Sequence, residues 1–229
     1  AYRKALYHAF NREVIAKDIF GHMEPTGTYV NGMAGISSES KLTYRESAQG
    51  KAVTAMVEEW GPYGYNPELA RKYLAEAYKE AGISDDTVVT ILMAVNSTSA
   101  QWKATSEYLM EEWPVIFEGK IKLEPVPYAG DVDLKATGDD KWDLYPTNWL
   151  RGVSRTLPYS CFYYYLSTYG SHPNNYLSER FEAQYAVCDT PEVQADYNRV
   201  LDETKKLEEI YLEEVIHIPI LQVVNYAMF

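Results

Sequence analysis

The sequence is short of positive charge. Its 229 residues include 21 Lys and Arg against 33 Asp and Glu, which gives a formal net charge of −12. Nucleic acids and anionic lipid surfaces bind basic proteins, so this balance argues against both as partners. No apolar run approaches the roughly 20 residues that span a bilayer. With 46% hydrophobic and 24% charged residues, the composition is that of a soluble globular protein, either one large domain or two small ones.

Cysteines and enzyme motifs are equally scarce. Cys161 and Cys188 would permit a disulfide in an exported protein, but both fall in apolar helical settings, so we expect two free buried thiols. The sequence has no HExxH, GxSxG, phosphate-binding loop or GxGxxG motif. Its 4 histidines lack metal-ligand spacing. We therefore predict no enzymatic activity, no metal site and no cofactor.

Two pairs of adjacent carboxylates remain as candidates for catalysis. Glu111-Glu112 lies in a predicted helix, where neighbouring residues point in different directions, which favours a solvated face. Asp139-Asp140 follows a glycine and is typical of a turn. A carboxylate pair for glycoside hydrolysis would need a tertiary contact that no local pattern predicts. The sequence is rich instead in aromatic side chains suited to recognition, with 21 Tyr and 5 Trp.

Helix signals dominate the first part of the chain. Residues 1–21 are predicted to be helical in two pieces, with Asn11 capping the second and Gly21 ending it. The chain begins in this helix without a signal peptide, so we expect it to be part of a longer protein. From 22 to 64, glycines and serines indicate a long surface excursion with one short helix around 50–60.

A βαβ pattern follows. Asn66 is a good cap for a helix that Gly82 ends, and 88–95 is an apolar run typical of a strand buried on both faces. A helix over 99–117 contains a proline that should bend or end it early, and 121–126 alternates as the next strand. Strand, helix and strand in this order predict parallel strands and an α/β fold.

The remaining elements are helices and two final strands. A cap followed by proline predicts that the longest helix starts at Thr190-Pro191, with a buried stripe from Val193 to Leu207. The other predicted elements are helices near 158–169 and 178–188 and strands around 216–220 and 223–229.

The stretch 141–166 is the predicted floor of a binding cleft. It opens as a short strand at Trp142 and Leu144, passes through a polar loop and enters an aromatic helix after Pro158. Open α/β sheets bind ligands in loops at the carboxyl ends of their strands. The predicted ligand-binding residues are Asn96 and Thr98, after the buried strand, and Asn148, Trp149, Leu150, Arg151, Gly152, Ser154 and Arg155 in the loop.

Each of these residues also has a purely structural interpretation. Trp149 could close a strand as a core residue, or its flat face could line the cleft. Arg151 and Arg155 could be solvated, or one of them could pair with a ligand carboxylate. The segment Asn96-Ser97-Thr98 is equally suited to capping the next helix.

The order of these motifs resembles the oligopeptide-binding family of extracellular solute-binding proteins, family 5. The helix pair that begins at Tyr2–Leu6 is similar to the opening segment of the family, with Asn11 where the family usually has Asp. The segment Tyr65–Gly82 is similar to its "Y-D-P-E-x-A-K-x-L-L … A-G" pattern, and Ile216–Ile220 to its closing "P-x-I-P-L" stretch. Each motif alone is weak, whereas the ordered set covers nearly the whole chain.

The resemblance implies a fold, a function and a location. The fold would be a type II periplasmic-binding-protein-like α/β lobe, a mixed β-sheet flanked by helices. Residues 1–229 would be a single lobe, the carboxyl-terminal one of a longer two-lobe protein whose amino-terminal lobe is absent. That protein would capture peptides or peptide-like solutes between its lobes and deliver them to the permease subunits of an ABC importer. It would be exported to the periplasm or the outer face of the membrane, where an amino-terminal lipid anchor holds it.

The central loop departs from the family pattern. Family members commonly place an Asp three residues after the tryptophan, followed by Tyr, and this Asp pairs with the amino terminus of the peptide. Here Gly152 and Val153 follow Trp149 at those positions, and Arg151 and Arg155 make the loop basic. We hypothesise a ligand with a free acid, a modified peptide or a non-peptide solute. The alternatives from other classes are a secreted hydrolase domain and the ligand-sensing domain of a transcription regulator.

Overall fold

The structure is a computed structural model that describes residues 1–36, 42–128, 142–146, 157–168 and 177–223. It divides into two compact units, one of residues 1–21 and 65–150 and one of residues 22–64 and 151–229. In chain order the elements are α1 (Tyr2–Ala9), α2 (Arg12–Val14), β1 (Glu24–Pro25), α3 (Ala48–Trp60), α4 (Pro67–Ala81), β2 (Val89–Asn96), α5 (Ala100–Ile116), β3 (Ile121–Tyr128), α6 (Glu179–Cys188), α7 (Pro191–Gln194), α8 (Tyr197–Glu213) and β4 (Leu221–Gln222).

The first unit opens with the two helical pieces that the sequence predicts. After α1, the Asn11 side chain accepts a hydrogen bond from the Val14 N–H at 3.4 Å, which caps α2. The helix continues as a π-helical turn, Ile15–Phe20. It ends at Gly21, whose φ of 69° is the left-handed conformation that favours glycine.

Helix α4 confirms its predicted bounds. The Asn66 side chain accepts hydrogen bonds from the N–H groups of Glu68 and Leu69, both at 3.1 Å, and Gly82 ends the helix with φ 65°. The backbone N–H of Asn66 donates to the His8 carbonyl at 2.9 Å, which fixes the start of α4 against α1.

The predicted βαβ unit is also confirmed. Strands β2 and β3 pair in parallel, with Val89 opposite Ile121, and α5 connects them. Of the two effects predicted for Pro114, a bend or an early end, the early end is wrong, because α5 runs on to Ile116. The proline lies in the last turn of the helix. It lacks the N–H of one helical hydrogen bond, and few helical hydrogen bonds lie beyond it. The indole of Trp113, fully buried, donates to the Ala9 carbonyl at 3.3 Å and so joins α5 to the end of α1.

The backbone N–H and C=O groups of the even-numbered residues of β3 point toward β2. The carbonyls of Lys120 and Tyr128 accept hydrogen bonds from the N–H groups of Val89 and Ser97, at 2.9 and 2.8 Å. The backbone N–H and C=O groups of successive residues in a strand point to opposite sides. Those of the odd-numbered residues of β3 therefore point away from β2. The prolines of β3, at 125 and 127, both fall on that outer side. Their missing N–H groups therefore remove no bond between the two strands.

In the second unit, the prediction that 22–64 is a long surface excursion is wrong in part. The predicted short helix is confirmed as α3, but Val30, Ala34, Ile36 and Tyr44 in the same stretch are buried. Glycines and serines made the pattern look like a surface loop, whereas the few apolar residues between them reach the core. Strand β1 pairs antiparallel with β4 at the other end of the chain, and the Thr26 N–H donates to the Ile220 carbonyl at 3.1 Å.

The aromatic helix predicted after Pro158 is present as the 3-10 helix Pro158–Tyr165. Its Phe162 ring lies 4.8 Å from Tyr29 and 5.3 Å from Tyr211, centroid to centroid. Phe162 and Tyr211 belong to the buried core of the second unit, and the half-buried Tyr29 packs against them. The hydroxyl of Tyr159 donates to the Asp189 carboxylate at 3.0 Å, which ties the 3-10 helix to the end of α6.

The carboxyl-terminal region needs two further corrections. Thr190-Pro191 starts only the short helix α7, and Asp196 caps the long helix α8, so the predicted start is wrong. The buried stripe is confirmed, since Val193, Val200 and Leu207 are buried. The strand predicted at 216–220 is also wrong, because the paired residues are the next two, in β4. Most of the strand predicted at 223–229 lies outside the described residues.

Both cysteines are free thiols, as the sequence predicts. Cys188 is buried and Cys161 is half-buried. Burial raises the pKa of the Cys188 thiol to about 12 and also raises that of Cys161. Neither thiol is therefore an activated nucleophile at neutral pH.

Candidate ligand-binding edge

Three chain segments of the first unit run in parallel and end at one edge. Leu144 forms a parallel bridge with Met93 on the side of β2 opposite β3. The N–H groups of Asp143 and Leu144 donate to the Leu92 carbonyl at 2.8 and 3.0 Å, and the Ala94 N–H donates to the Leu144 carbonyl at 2.8 Å. The short strand predicted at 142–144 is therefore present at Leu144. Because Leu144 pairs in parallel with β2, the described residues that follow it, Tyr145 and Pro146, lead toward the edge at which β2 and β3 end.

The side chain of Asp143 helps to set this strand. Its Oδ2 accepts a hydrogen bond from the Leu92 N–H at 2.8 Å, so the carboxylate supplements the backbone pairing on that side of β2. Burial raises the pKa of the Tyr2 phenol, and the charge of Asp143 raises it further. Tyr2 in α1 therefore stays protonated and neutral beside this strand.

Polar groups join the ends of β2 and β3. The Ser97 hydroxyl and the Ser97 N–H both donate to the Tyr128 carbonyl, each at 2.8 Å. Asn96 Oδ1 accepts from the N–H of Thr98 at 2.9 Å and from its hydroxyl at 2.7 Å. Helix α5 is capped instead by Ser99, whose hydroxyl accepts from the Trp102 N–H at 3.3 Å. Asn96 and Thr98 thus lie at the predicted edge and form a tight turn there.

Three half-buried aromatic rings lie at the same edge, those of Tyr128, Trp142 and Tyr145. Their centroids are 5.7 Å apart for Trp142 and Tyr145, 5.8 Å for Tyr128 and Tyr145, and 6.0 Å for Tyr128 and Trp142. The hydroxyls of the two tyrosines are 3.5 Å apart. We call these three residues the aromatic triad. It offers flat apolar faces beside two hydroxyl groups, which suits a ligand that has both apolar and hydrogen-bonding parts.

The predicted loop residues lie outside the described residues. These are Asn148, Trp149, Leu150, Arg151, Gly152, Ser154 and Arg155. Asn96 and Thr98 are the described members of the predicted set, and both are at the strand end where they were expected. The aromatic triad was not predicted from the sequence. The signal was present, because Tyr128 continues the alternation of β3 and Tyr145 directly follows the short strand.

The described residues offer binding groups at this edge: aromatic faces, hydroxyls and an amide. Within the described ranges, no three His, Cys, Asp or Glu side chains are grouped so as to hold a metal ion. Across those same ranges, none of the helices has the length and apolar character needed to cross a membrane.

An α/β unit with hydrogen-bonding groups and aromatic faces at the carboxyl edge of parallel strands belongs to the class of ligand-binding folds. The chain itself belongs to a defined family within that class. Residues 1–171 match the bacterial extracellular solute-binding proteins, family 5 Middle. The predicted family is confirmed, and with it the function of solute binding.

Solved structures confirm the predicted type II periplasmic-binding-protein fold. A peptide-binding protein of a peptide ABC transporter has a TM-score of 0.73 at 18% identity, over 97% of this chain and 90% of that one. The substrate-binding domain of an oligopeptide ABC transporter from Bacillus anthracis has a TM-score of 0.77 at 18% identity, over 96% of this chain and 39% of that one. OppA of Listeria monocytogenes bound to peptide has a TM-score of 0.68 at 19% identity, over 96% of this chain and 38% of that one.

The chain therefore spans most of one of these proteins and about two fifths of the other two. A comparison with curated proteins found no match. Neither the hydrolase nor the transcription-regulator alternative is favoured by these relationships.

Proposed function

We propose that this chain is one lobe of the substrate-binding component of an ABC importer, and that it captures peptides or peptide-like solutes. The observation that carries the proposal is the family match over residues 1–171. The aromatic triad supports it, because aromatic faces beside hydrogen-bonding groups suit a peptide, whose apolar side chains alternate with backbone amides. The protein binds its ligand without turnover, and its partners are the ligand and the permease subunits.

In this proposal residues 1–229 are the carboxyl-terminal lobe of a two-lobe protein that is exported and held at the membrane by a lipid anchor. The ligand lies between the lobes, and closure of the lobes around it changes the surface that the permease meets. Since one lobe supplies only part of the cavity, the chain alone should bind peptide with a Kd of roughly 0.1–1 mM. A titration followed by NMR chemical shifts measures this range. A Kd below about 1 μM for the isolated chain would contradict the one-lobe proposal.

The aromatic triad provides the first test of the site. Trp142→Leu and Tyr145→Ala should each weaken peptide binding about tenfold, which corresponds to about 1.4 kcal/mol. Trp102→Leu is the matched control, since Trp102 is also a half-buried tryptophan of the first unit but contacts Phe20 in the π-helical turn. The control should bind as the unchanged protein does. Equal affinities for all four proteins would remove the triad from the site.

The predicted loop provides the second test, which concerns the ligand. If Arg151 pairs with a ligand acid, Arg151→Ala should weaken binding of peptides with a free carboxyl terminus and leave their amidated counterparts unchanged. Arg155→Ala, tested on the same matched peptides, shows which of the two arginines has this role. Unchanged affinity of both variants for every peptide would discard recognition of an acid by this loop, and the family-level proposal would still stand.

A further inference from the structure

A buried carboxylate in the second unit makes all its hydrogen bonds to described residues through one oxygen. Glu208 lies in α8 and is fully buried. Its Oε1 accepts from the N–H groups of Tyr29 and Val30, at 2.9 and 2.8 Å, and from the guanidinium of Arg45. The arginine also donates to the Val30 carbonyl at 2.8 Å. The positive charge of Arg45 therefore balances the negative charge of Glu208. The carboxylate also fixes the segment 29–30 against α8.

Three polar atoms in this part of the second unit, one of them the other oxygen of Glu208, are buried and make no hydrogen bond to any described residue. They are Glu208 Oε2, the Tyr44 hydroxyl and the Thr204 hydroxyl. The residues themselves are fully buried, each with 0% of its surface exposed. A buried polar group without a partner destabilises the folded state, and three such groups together exceed what one site in a stable protein usually carries.

Helical spacing relates Thr204 to Glu208, and an electrostatic interaction relates Tyr44 to Glu208. Thr204 and Glu208 are one turn apart on α8, a spacing that brings side chains to about 5–6 Å from each other. Tyr44 precedes Arg45, which bonds Glu208, and the arginine lies over the Tyr44 ring at 5.2 Å. Burial raises the pKa of the Tyr44 phenol, and the charge of Glu208 raises it further. The Tyr44 phenol is thus neutral and can donate a hydrogen bond.

We infer that one internal water molecule is bound at this position and bridges Tyr44, Thr204 and Glu208. The water accepts a hydrogen bond from the Tyr44 hydroxyl and donates one to Glu208 Oε2, and the Thr204 hydroxyl supplies its third partner. Three hydrogen bonds are the usual number for a buried water, and one water spans the separation of two groups on adjacent helical turns. A cation is a poorer occupant, because Arg45 already balances the carboxylate.

Isosteric variants test the inference by the sign of their effect. Tyr44→Phe and Thr204→Val each remove one hydroxyl without a change of shape. With the bridging water present, each variant should lower Tm by about 2–4 °C, and the double variant should lower it no further than the worse single one. Without the water, each variant deletes an unpaired polar group, and Tm should stay unchanged or rise. A Tm that stays or rises in either variant overturns the inference, as does a double variant whose loss equals the sum of the two.

A control variant distinguishes the loss of a shared water from the loss of a hydroxyl that bonds directly to protein groups. Tyr159 is a buried tyrosine of the same unit whose hydroxyl has protein partners, Asp189 at 3.0 Å and Gln194 at 2.9 Å. Tyr159→Phe should lower Tm, and its effect should add to that of Thr204→Val because the two share no partner. A crystal structure of the unchanged protein should show a density peak within hydrogen-bonding distance of the three oxygen atoms. The absence of that peak overturns the inference.

Discussion

At the scale of single residues, Gly50 shows how a missing side chain permits a close approach. It is the third residue of α3, and its N–H donates to the Ser47 hydroxyl that caps the helix, at 3.0 Å. A Cβ at this position would overlap the Tyr44 carbonyl oxygen and come within 2.9 Å of the Arg45 Cα. Both neighbours are backbone atoms, so neither can move aside as a flexible side chain would.

Gly50→Ala should therefore destabilise the protein, although alanine favours a helix over glycine by about 1 kcal/mol. We expect the free energy of unfolding to fall by about 1–3 kcal/mol, measured by urea denaturation. Ala52→Gly, at an exposed position of the same helix, is the control and should cost only the helix propensity, about 1 kcal/mol. An increase in stability for Gly50→Ala would mean that the helix and the Tyr44 segment do not meet as described.

The roles of some residues can be predicted from the sequence, and those of others cannot. Asn66 and Gly82 act within one turn of their own positions, so their roles as helix cap and helix end were readable. Gly50 was not, because its role depends on a backbone segment that folds back onto it. Glu208 was likewise hidden, since its partners Tyr29 and Val30 lie far away in the sequence.

At the scale of elements, the start of α8 depends on Asp196. Its Oδ1 accepts hydrogen bonds from the N–H groups of Asn198 and Arg199, at 3.0 and 3.4 Å. Thr190, the predicted start, makes no side-chain cap bond to α7, and its hydroxyl donates to the Val187 carbonyl instead. Cap residues occur at both places, and the local pattern alone does not distinguish the start of a one-turn helix from that of a long one.

Asp196→Ala should lower the free energy of unfolding by about 1 kcal/mol, because it leaves the first N–H groups of α8 without a partner and removes a negative charge from the helix amino terminus. Thermal and urea unfolding both measure this loss. Thr190→Ala is the matched change and should cost less. If Thr190→Ala were the more damaging of the two, the long helix would begin where the sequence first indicated.

The exact positions of strands, like the starts of helices, are not determined by the local sequence pattern alone. The run around 216–220 is apolar enough for a strand, yet the paired residues are Leu221 and Gln222. Their partners, Glu24 and Pro25, lie at the other end of the second unit's sequence. An apolar run predicts that a strand is near, whereas its distant partner decides which residues pair.

At the scale of the whole molecule, the ordered motifs predicted the family and the α/β fold, because each motif is a local signal and the order needs no tertiary information. The aromatic triad was not predicted. Tyr128, Trp142 and Tyr145 come together only because three chain segments run in parallel and end at one edge. Asn96 and Thr98 were predicted at that edge, since a residue that directly follows a buried strand must lie at its end.

The net charge of −12 predicts a response to salt. The excess carboxylates repel one another in the folded state, and salt screens this repulsion, with a Debye length of about 30 Å at 0.01 M and about 10 Å at 0.1 M. Raising NaCl from 10 to 150 mM at pH 7 should raise Tm by about 2–4 °C. Calorimetry at both salt concentrations measures this shift.

The same pair of measurements near pH 5 provides the control. Part of the carboxylates binds protons as the pH falls toward their pKa values, so the repulsion and its screening both decrease. We expect a smaller shift of Tm at that pH. If salt lowered Tm at pH 7, the surface ion pairs, such as that of Arg180 with Glu213 at 2.7 Å, would outweigh the repulsion.

The prolines at 125 and 127 bear on how copies of this protein meet. An unpaired strand edge can template the addition of a foreign strand, which is a common first step of aggregation. Along the carboxyl half of β3 the outward positions have no N–H to offer, so a second chain aligned there finds acceptors without donors. Among the described residues β3 has no partner on its outer side, and the two prolines protect that side against intermolecular sheet growth next to the candidate ligand-binding edge, so crowded copies can remain separate there while the candidate edge stays accessible.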